Sequence, residues 1–221
     1  MCYTKTASGR CMRASAGCRN LFYQNHCRIP CGIHSVFSNT FIFDAENDGK
    51  EGYLYSLVTT SIIQGIKSIP VYVEADVSDG MPLFEMVGSL SPEVKESKER
   101  VRTALKNTGY ILPPKRITIN FIPANIRKTG SGFDLPVVAA VLCAIGIVPE
   151  EALKDTMVVG EISLSGDVKP VNGILPMVAE AKERGVTRCI VPAENQTEAQ
   201  LVKEIEIFAV QSIAAVSYTH L

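Results

Sequence analysis

The sequence predicts an α+β (mixed α/β) domain, a sandwich of helices packed on a mixed sheet. Strand-like segments come first as a group and then alternate with helix-like ones, the order expected when helices cover a mainly mixed sheet. The 221-residue chain is 46% hydrophobic and 20% charged with a formal net charge of −1, the balance of a globular protein with one substantial core.

Residues 1–50 show neither helical nor strand periodicity and close on the polar, turn-rich "FSNTFIFDAENDGKEG". They are expected to form a disordered extension foreign to the domain. Five of the seven cysteines fall here: Cys2, Cys11, Cys18, Cys27 and Cys31. Cys27 and Cys31 with His26 and His34 supply enough ligands for zinc, but at spacings that fit none of the usual paired patterns, so the extension is favoured. Cys143 and Cys189 lie in apolar surroundings, where a free thiol packs as a small hydrophobe.

Regular signals begin near Tyr53. "YLYSLVTTSII" and "IPVYVEADVS" are rich in β-branched and aromatic residues and read as strands, and "LFEMVG" follows the "DGMP" turn as a third. "SPEVKESKERVRTALKNTG" is a helix with Ser91 as N-cap, Pro92 in the first turn and Gly109 at its stop. Its apolar stripe is Val94, Val101, Ala104 and Leu105, and its charged residues read as a solvated, ion-paired face. In "RITINFI", Ile117, Ile119 and Phe121 alternate with polar residues as in a half-buried strand. The glycine-rich turn "RKTGSG" then opens a helix over about 133–145, with Asp134 as cap, Gly146 as stop and apolar residues on every side, the pattern of a buried helix. Arg127 and Lys128 are expected to stand exposed in front of it. "TMVVGEISLSG" and "DVKPV" read as a hairpin. "NGILPMVAEAKERG" reads as a helix capped by Asn172 and stopped at Gly185. "RCIVP", "ENQTEAQLV" and "IEIFAV" follow as strand, helix and strand.

Several function classes are excluded or disfavoured. No apolar run reaches the roughly 18 residues of a membrane span, and no apolar core follows the basic N-terminus, so neither membrane nor secretion is expected and the cytoplasm is. GxxxxGK[ST], HExxH, CxxC and GxSxG are all missing. The three histidines, His26, His34 and His220, lie outside residues 53–213, which leaves that region no Ser–His or Cys–His pair. One imbalance stands out. Residues 91–128 hold nine Lys/Arg against three Glu, a net of +6. Such a patch can follow a phosphate backbone, although a soluble basic helix surface is the plainer reading and few aromatics are interleaved for stacking on bases.

The chain resembles the N-terminal domain of the magnesium-chelatase-like AAA+ ATPases of the YifB/ComM type. The motifs that carry the likeness are "VKESKERVR", "PPKRITIN", "PANIRKTGSGFDLP", "GEISLSGDVKPVNGILPMVAEAKERG" and "VPAEN", in that order over about residues 53–213. Residues 1–50 and the terminal 214–221 look foreign to the pattern. The resemblance implies a fold shared with the Lon protease domain and a ribosomal-protein domain. It also implies a fragment of a longer protein whose P-loop module, with its ATP and magnesium, follows this domain. The implied partners are that ATPase module, further copies in a ring, and DNA, with branch migration implied for the ComM group. No cofactor or metal site is expected in this chain itself. If the domain touches DNA, Lys98, Arg102, Arg127 and Lys128 are the candidate contacts.

Kinship with Lon also tests for catalysis. Laid on the protease's serine turn and lysine helix start, this chain has Gly132 at the nucleophile position and Leu175 at the lysine position. Ser131 stands one place early, and without a base at hand a serine is a poor nucleophile. A rearranged dyad with Lys128 or Lys169 is the alternative, a Lon-like peptidase. The RadA-type repair ATPases also carry a Lon-like domain, but there the ATPase precedes it, whereas the motifs here favour an ATPase that follows.

Overall fold

The computed structural model describes residues 54–218. The expected extension over 1–50, the Cys27/Cys31 metal option and the last three residues of the expected tail lie outside it. In chain order the elements are β1 (Leu54–Gln64), β2 (Lys67–Ser78), β3 (Leu83–Val87), α1 (Pro92–Asn107), β4 (Arg116–Ile122), α2 (Asp134–Ala144) and α3 (Glu150–Leu153). They continue with β5 (Thr156–Val158), β6 (Glu161–Ile162), β7 (Val168–Lys169), α4 (Ile174–Glu183), β8 (Arg188–Pro192), α5 (Gln196–Ala199), β9 (Glu206–Val210) and α6 (Ile213–Tyr218).

Seven strands form one mixed sheet in the order β3-β4-β2-β1-β5-β8-β9. β1–β2 and β2–β4 are antiparallel, and the other neighbours are parallel. Alternation along the strands assigns residues to the two faces. Val71, Val73, Ala75 and Val77 of β2, with Ile117, Ile119 and Phe121 of β4, pack with α1, α2 and α6 in the larger core. Met157 of β5 and Cys189 and Val191 of β8 point the other way, into a second core with α4 and Ala199 of α5. Burial pushes the Cys189 thiol up to about 12, so it packs as a hydrophobe.

Helix α2 lies at the centre. All of its residues except Cys143 are buried, as a sequence apolar everywhere but Asp134 leads one to expect. The Ser56 hydroxyl on β1 donates to Ala140 O at 2.7 Å and ties the helix to the sheet. Phe133, just ahead of it, meets Phe121 edge to face at 5.6 Å between ring centroids, a favoured aromatic geometry that fixes where the helix enters.

Several local expectations change. Asp134 is the first helical residue of α2, not its cap: Phe133 holds the N-cap position and supplies no side-chain bond. Asn172 does not cap α4, which starts from Gly173 at φ 80°. A side chain at Gly173 would place its Cβ 2.8 Å from Ile63 Cγ1, so left-handed backbone and close packing both demand glycine. Thr156–Val158 joins the main sheet, and only Glu161–Ile162 and Val168–Lys169 form the separate hairpin. The short helices α3 and α6 were not expected. Ile213 and Val216 of α6 are buried in the larger core, so the start of the expected 214–221 tail docks on the domain.

Replacing Phe133 by Ala removes half of the aromatic pair from a packed site and should cost about 3–5 kcal/mol. Urea unfolding followed by far-ultraviolet circular dichroism measures it.

Candidate functional site

The turn ahead of α2 carries most of the residues singled out in the sequence. It is stitched to the start of α1: Lys128 N donates to Ser89 O at 2.8 Å, and Ser91 N donates to Lys128 O at 2.9 Å. This pairing leaves Arg127 exposed beside the first turn of α1 and turns the Lys128 side chain inward. Lys128 is completely buried, with Nζ donating to the carbonyls of Phe121 and Pro123. Burial lowers its pKa. The expectation that Lys128 is a surface contact is therefore wrong: the backbone pairing that holds the turn commits its ammonium group to interior carbonyls.

The protease-like positions carry no nucleophile–base pair. Gly132 O accepts from Gly160 N at 3.1 Å, and Leu135 N donates to Gly160 O at 3.0 Å, which clamps the turn to the segment leading into β6. A Cβ on Gly132 would meet Val159 and Val171 at 3.4 and 3.5 Å, so its surroundings are apolar. The Ser131 hydroxyl donates to the Glu161 carboxylate. Leu175 offers a half-exposed apolar side chain, and its backbone N–H donates to Glu198 at 3.0 Å. The two lysines weighed as partners for Ser131 are engaged elsewhere, Lys128 with carbonyls and Lys169 with Asp167 at 3.9 Å.

The polar centre that sequence reasoning missed is Asp134. Its carboxylate is wholly buried and accepts from Ser97 Oγ on α1, from Arg100 Nε at 2.9 Å and Nη2 at 3.0 Å, and from Ile162 N of β6 at 3.3 Å. Burial pushes the Asp134 carboxyl up, against the opposing pull of Arg100, the Ser97 hydroxyl and the Ile162 N–H. Arg100, expected on a solvated face, instead has its pKa raised by its hydrogen bond to Asp134. One signal was available: an aspartate inside an otherwise apolar helix needs a partner, and Ser97 sits in register with the buried stripe of α1.

On the outer side of α1, Lys95, Lys98, Arg102 and Lys106 recur at three- and four-residue spacing and so share one face. Arg102 is exposed and faces Glu99 at 3.5 Å, a solvated pair of small energetic weight. Beside this face a groove of about 610 Å³ is lined by Arg102, Thr103, Lys106, Tyr110, Ile111 and Leu112, among others. Of the expected contacts, Lys98 and Arg102 thus lie together, Arg127 lies at the start of the same helix, and Lys128 is withdrawn. No group of residues suited to holding a metal ion occurs among the described residues.

The family model described as subunit ChlI of Mg-chelatase matches residues 73–195. YifB of Escherichia coli K12 is 37% identical over 147 residues, covering 66% of this chain and 29% of YifB. The competence protein ComM of Haemophilus influenzae is 33% identical over 158 residues, covering 72% of this chain and 31% of ComM. Lon protease 2 of Bacillus subtilis is 34% identical over 144 residues, 62% of this chain and 26% of that protein, in keeping with the expected Lon-like architecture. The chain spans under a third of the length of these relatives.

Arg100→Met leaves the Asp134 charge buried without its cation and should cost about 3–5 kcal/mol at neutral pH. The sign with pH follows from the raised folded-state pKa. Between the unfolded and folded values the native state holds more protons, so stability falls as pH rises. Removing Arg100 raises that pKa further. The deficit of the variant against wild type should therefore shrink as pH is lowered into the carboxylate range, as read by urea unfolding at each pH.

Proposed function

We propose a function for this chain from the family to which it belongs, the Mg-chelatase ChlI-like family that includes YifB and ComM: it is a non-catalytic accessory domain of a longer AAA+ ATPase that acts on DNA. In this reading a separate module of the parent binds ATP with magnesium and assembles into a ring in the cytoplasm. The domain described here supplies contacts to DNA, to neighbouring subunits, or to both. Branch migration, in competence or recombination, is the activity proposed for the parent.

The observation that carries the reading is the basic face of α1, with Lys98 and Arg102 on it and Arg127 at its start, in a chain whose protease-like positions are Gly132 and Leu175. A lone cationic stripe of this kind gives sequence-independent, salt-sensitive affinity for phosphates rather than base readout. The peptidase alternative lacks the dyad it names, because Lys128 is bonded to carbonyls and Lys169 faces Asp167, and the base that Ser131 meets is only the weakly basic carboxylate of Glu161.

Fluorescence anisotropy with labelled duplex and branched DNA across a salt series tests the proposal. Binding should weaken steeply with salt, and Lys98→Ala or Arg102→Ala should each reduce the slope of log K against log salt by about 0.9 on duplex. Lys128→Met, which changes an interior group, should leave the slope unaltered. Undetectable or salt-insensitive binding would sink the reading.

A further inference from the structure

We propose that Ile66, at the tip of the β1–β2 hairpin, is a wedge for branched DNA, a step that rests on the DNA reading above. It enters the gap between base pairs at a branch point and gives the domain a preference for junctions over continuous duplex. The hairpin closes in a two-residue turn, Gly65 and Ile66, between the paired residues Gln64 and Lys67. Gly65 takes φ 64°, which suits the first position of such a turn and lets the strands keep their twist. Turn positions are ordinarily filled by small or polar residues. Here the second one carries an isoleucine that is 93% exposed, more than any other large hydrophobic residue among those described.

A single exposed aliphatic residue is commonplace. What sets this one apart is the support beneath it. The hairpin outruns its neighbours: β4 pairs with β2 only from Tyr72 onward, and β5 meets β1 only at Thr59. From Thr60 to Val71 the chain is therefore a two-stranded ribbon, and Lys67 lies about 17 Å along the strand beyond the last β4 pair. The ribbon is nevertheless braced from both sides. Ile62 and Ile69 pack into the larger core, and Ile63 joins the second core on the opposite face, where the start of α4 abuts it at Gly173. A tip held in this way keeps its position when it meets resistance, so little ordering is needed on binding.

The tip also projects toward the candidate phosphate contacts. Strand β2 runs antiparallel to β4, so its start at Lys67 lies at the end where β4 finishes. Strand β3, parallel to β4, finishes at that same end, and α1 begins there at Pro92. Arg127 follows β4 on this side and is exposed, as is Lys67 next to the tip. Phosphates held by these cations and by the first turns of α1 bring a base step against Ile66. Driving an aliphatic side chain between stacked base pairs costs their stacking. At a branch point the stack is already interrupted, so most of that cost is absent while the side chain still leaves water. This gain involves no phosphate, so it does not depend on counterion release as the overall affinity does.

Fluorescence anisotropy of the full chain with a labelled four-way junction and a labelled continuous duplex of equal length tests the wedge. The junction carries 2-aminopurine at its branch point. It should bind on the order of tenfold more tightly than the duplex, with the ratio persisting as salt lowers both affinities. Emission from 2-aminopurine should rise on binding as the base unstacks. Ile66→Ser should bring the ratio near one and abolish the rise without altering the salt slope, because the side chain lies outside both cores. Ile66→Leu, which keeps an aliphatic tip, should retain both signals. Failure to bind either DNA would remove the DNA reading and the wedge with it. Equal binding to the two, or a junction preference that survives Ile66→Ser, would overturn the wedge alone.

Discussion

The buried carboxylate of Asp134 is the constraint around which the domain is organised. A charge at zero exposure is tolerated only where donors surround it, and here they come from three directions: Ser97 and Arg100 of α1, and the backbone of Ile162 in β6. The carboxylate sits at the first residue of α2, so its partners fix the angle of the central helix against α1 and hold the small hairpin against both. Apolar packing alone would leave these rotations soft, because α2 is hydrophobic on every side and has no preferred face. The ion pair adds direction to that already given by the Phe121–Phe133 contact and the Ser56 bond.

The same arrangement accounts for the state of the turn ahead of α2. Gly132 and Gly160 exchange backbone contact, Ser131 is tied to Glu161, and Lys128 is sunk into interior carbonyls. Ser131 and Lys128, two of the groups weighed for a Lon-like site, are thus engaged in bonds within and around the turn. The start of α2 leaves an anion no donor, because the N–H groups of Asp134, Leu135 and Val137 are bonded to Ser131 O, Gly160 O and Phe133 O, Pro136 has none, and the Asp134 carboxylate adds negative charge there. The turn is a structural joint in a protease-like scaffold.

Most of the fold was legible because its signals are local and periodic. The alternation in "RITINFI" and the apolar stripe of α1 each gave the element and its buried side within a residue or two of the observed bounds. The turn glycines 109, 146 and 185 lie where backbone with positive φ ends each helix. What was not legible depends on contacts distant in sequence. Asp134 follows a turn and precedes an apolar run, the local pattern of a cap, and only the arrival of Arg100 from 34 residues away makes it a buried ion pair. Lys128 reads as exposed because lysine usually is, and only its backbone pairing with Ser89 and Ser91 turns it inward. Helix α6 carries no family motif, yet Ile213 and Val216 find a place in the core.

The charge count of the sequence illustrates how far burial redistributes an electrostatic signal. Of the nine cations in residues 91–128, Arg100 is bound to Asp134, Lys115 to Asp79 and Arg116 to Glu85, while Lys128 is enclosed. The patch that looked spread over 38 residues of sequence thus contracts to Arg127 and the four cations of one helix face, of which Arg102 also faces Glu99. Contraction raises what the remainder can do. Charges gathered on a rigid helix keep their spacing, so they meet a row of phosphates or carboxylates together, whereas the same charges scattered over loops would each give up conformational entropy to do so. The opposing side of the sheet, where no ion pair among the described residues engages Glu74 or Asp76, carries the complementary sign on an equally rigid support. The ion pair that anchors α1 to α2 is therefore also what holds the basic face in a fixed direction relative to that acidic surface.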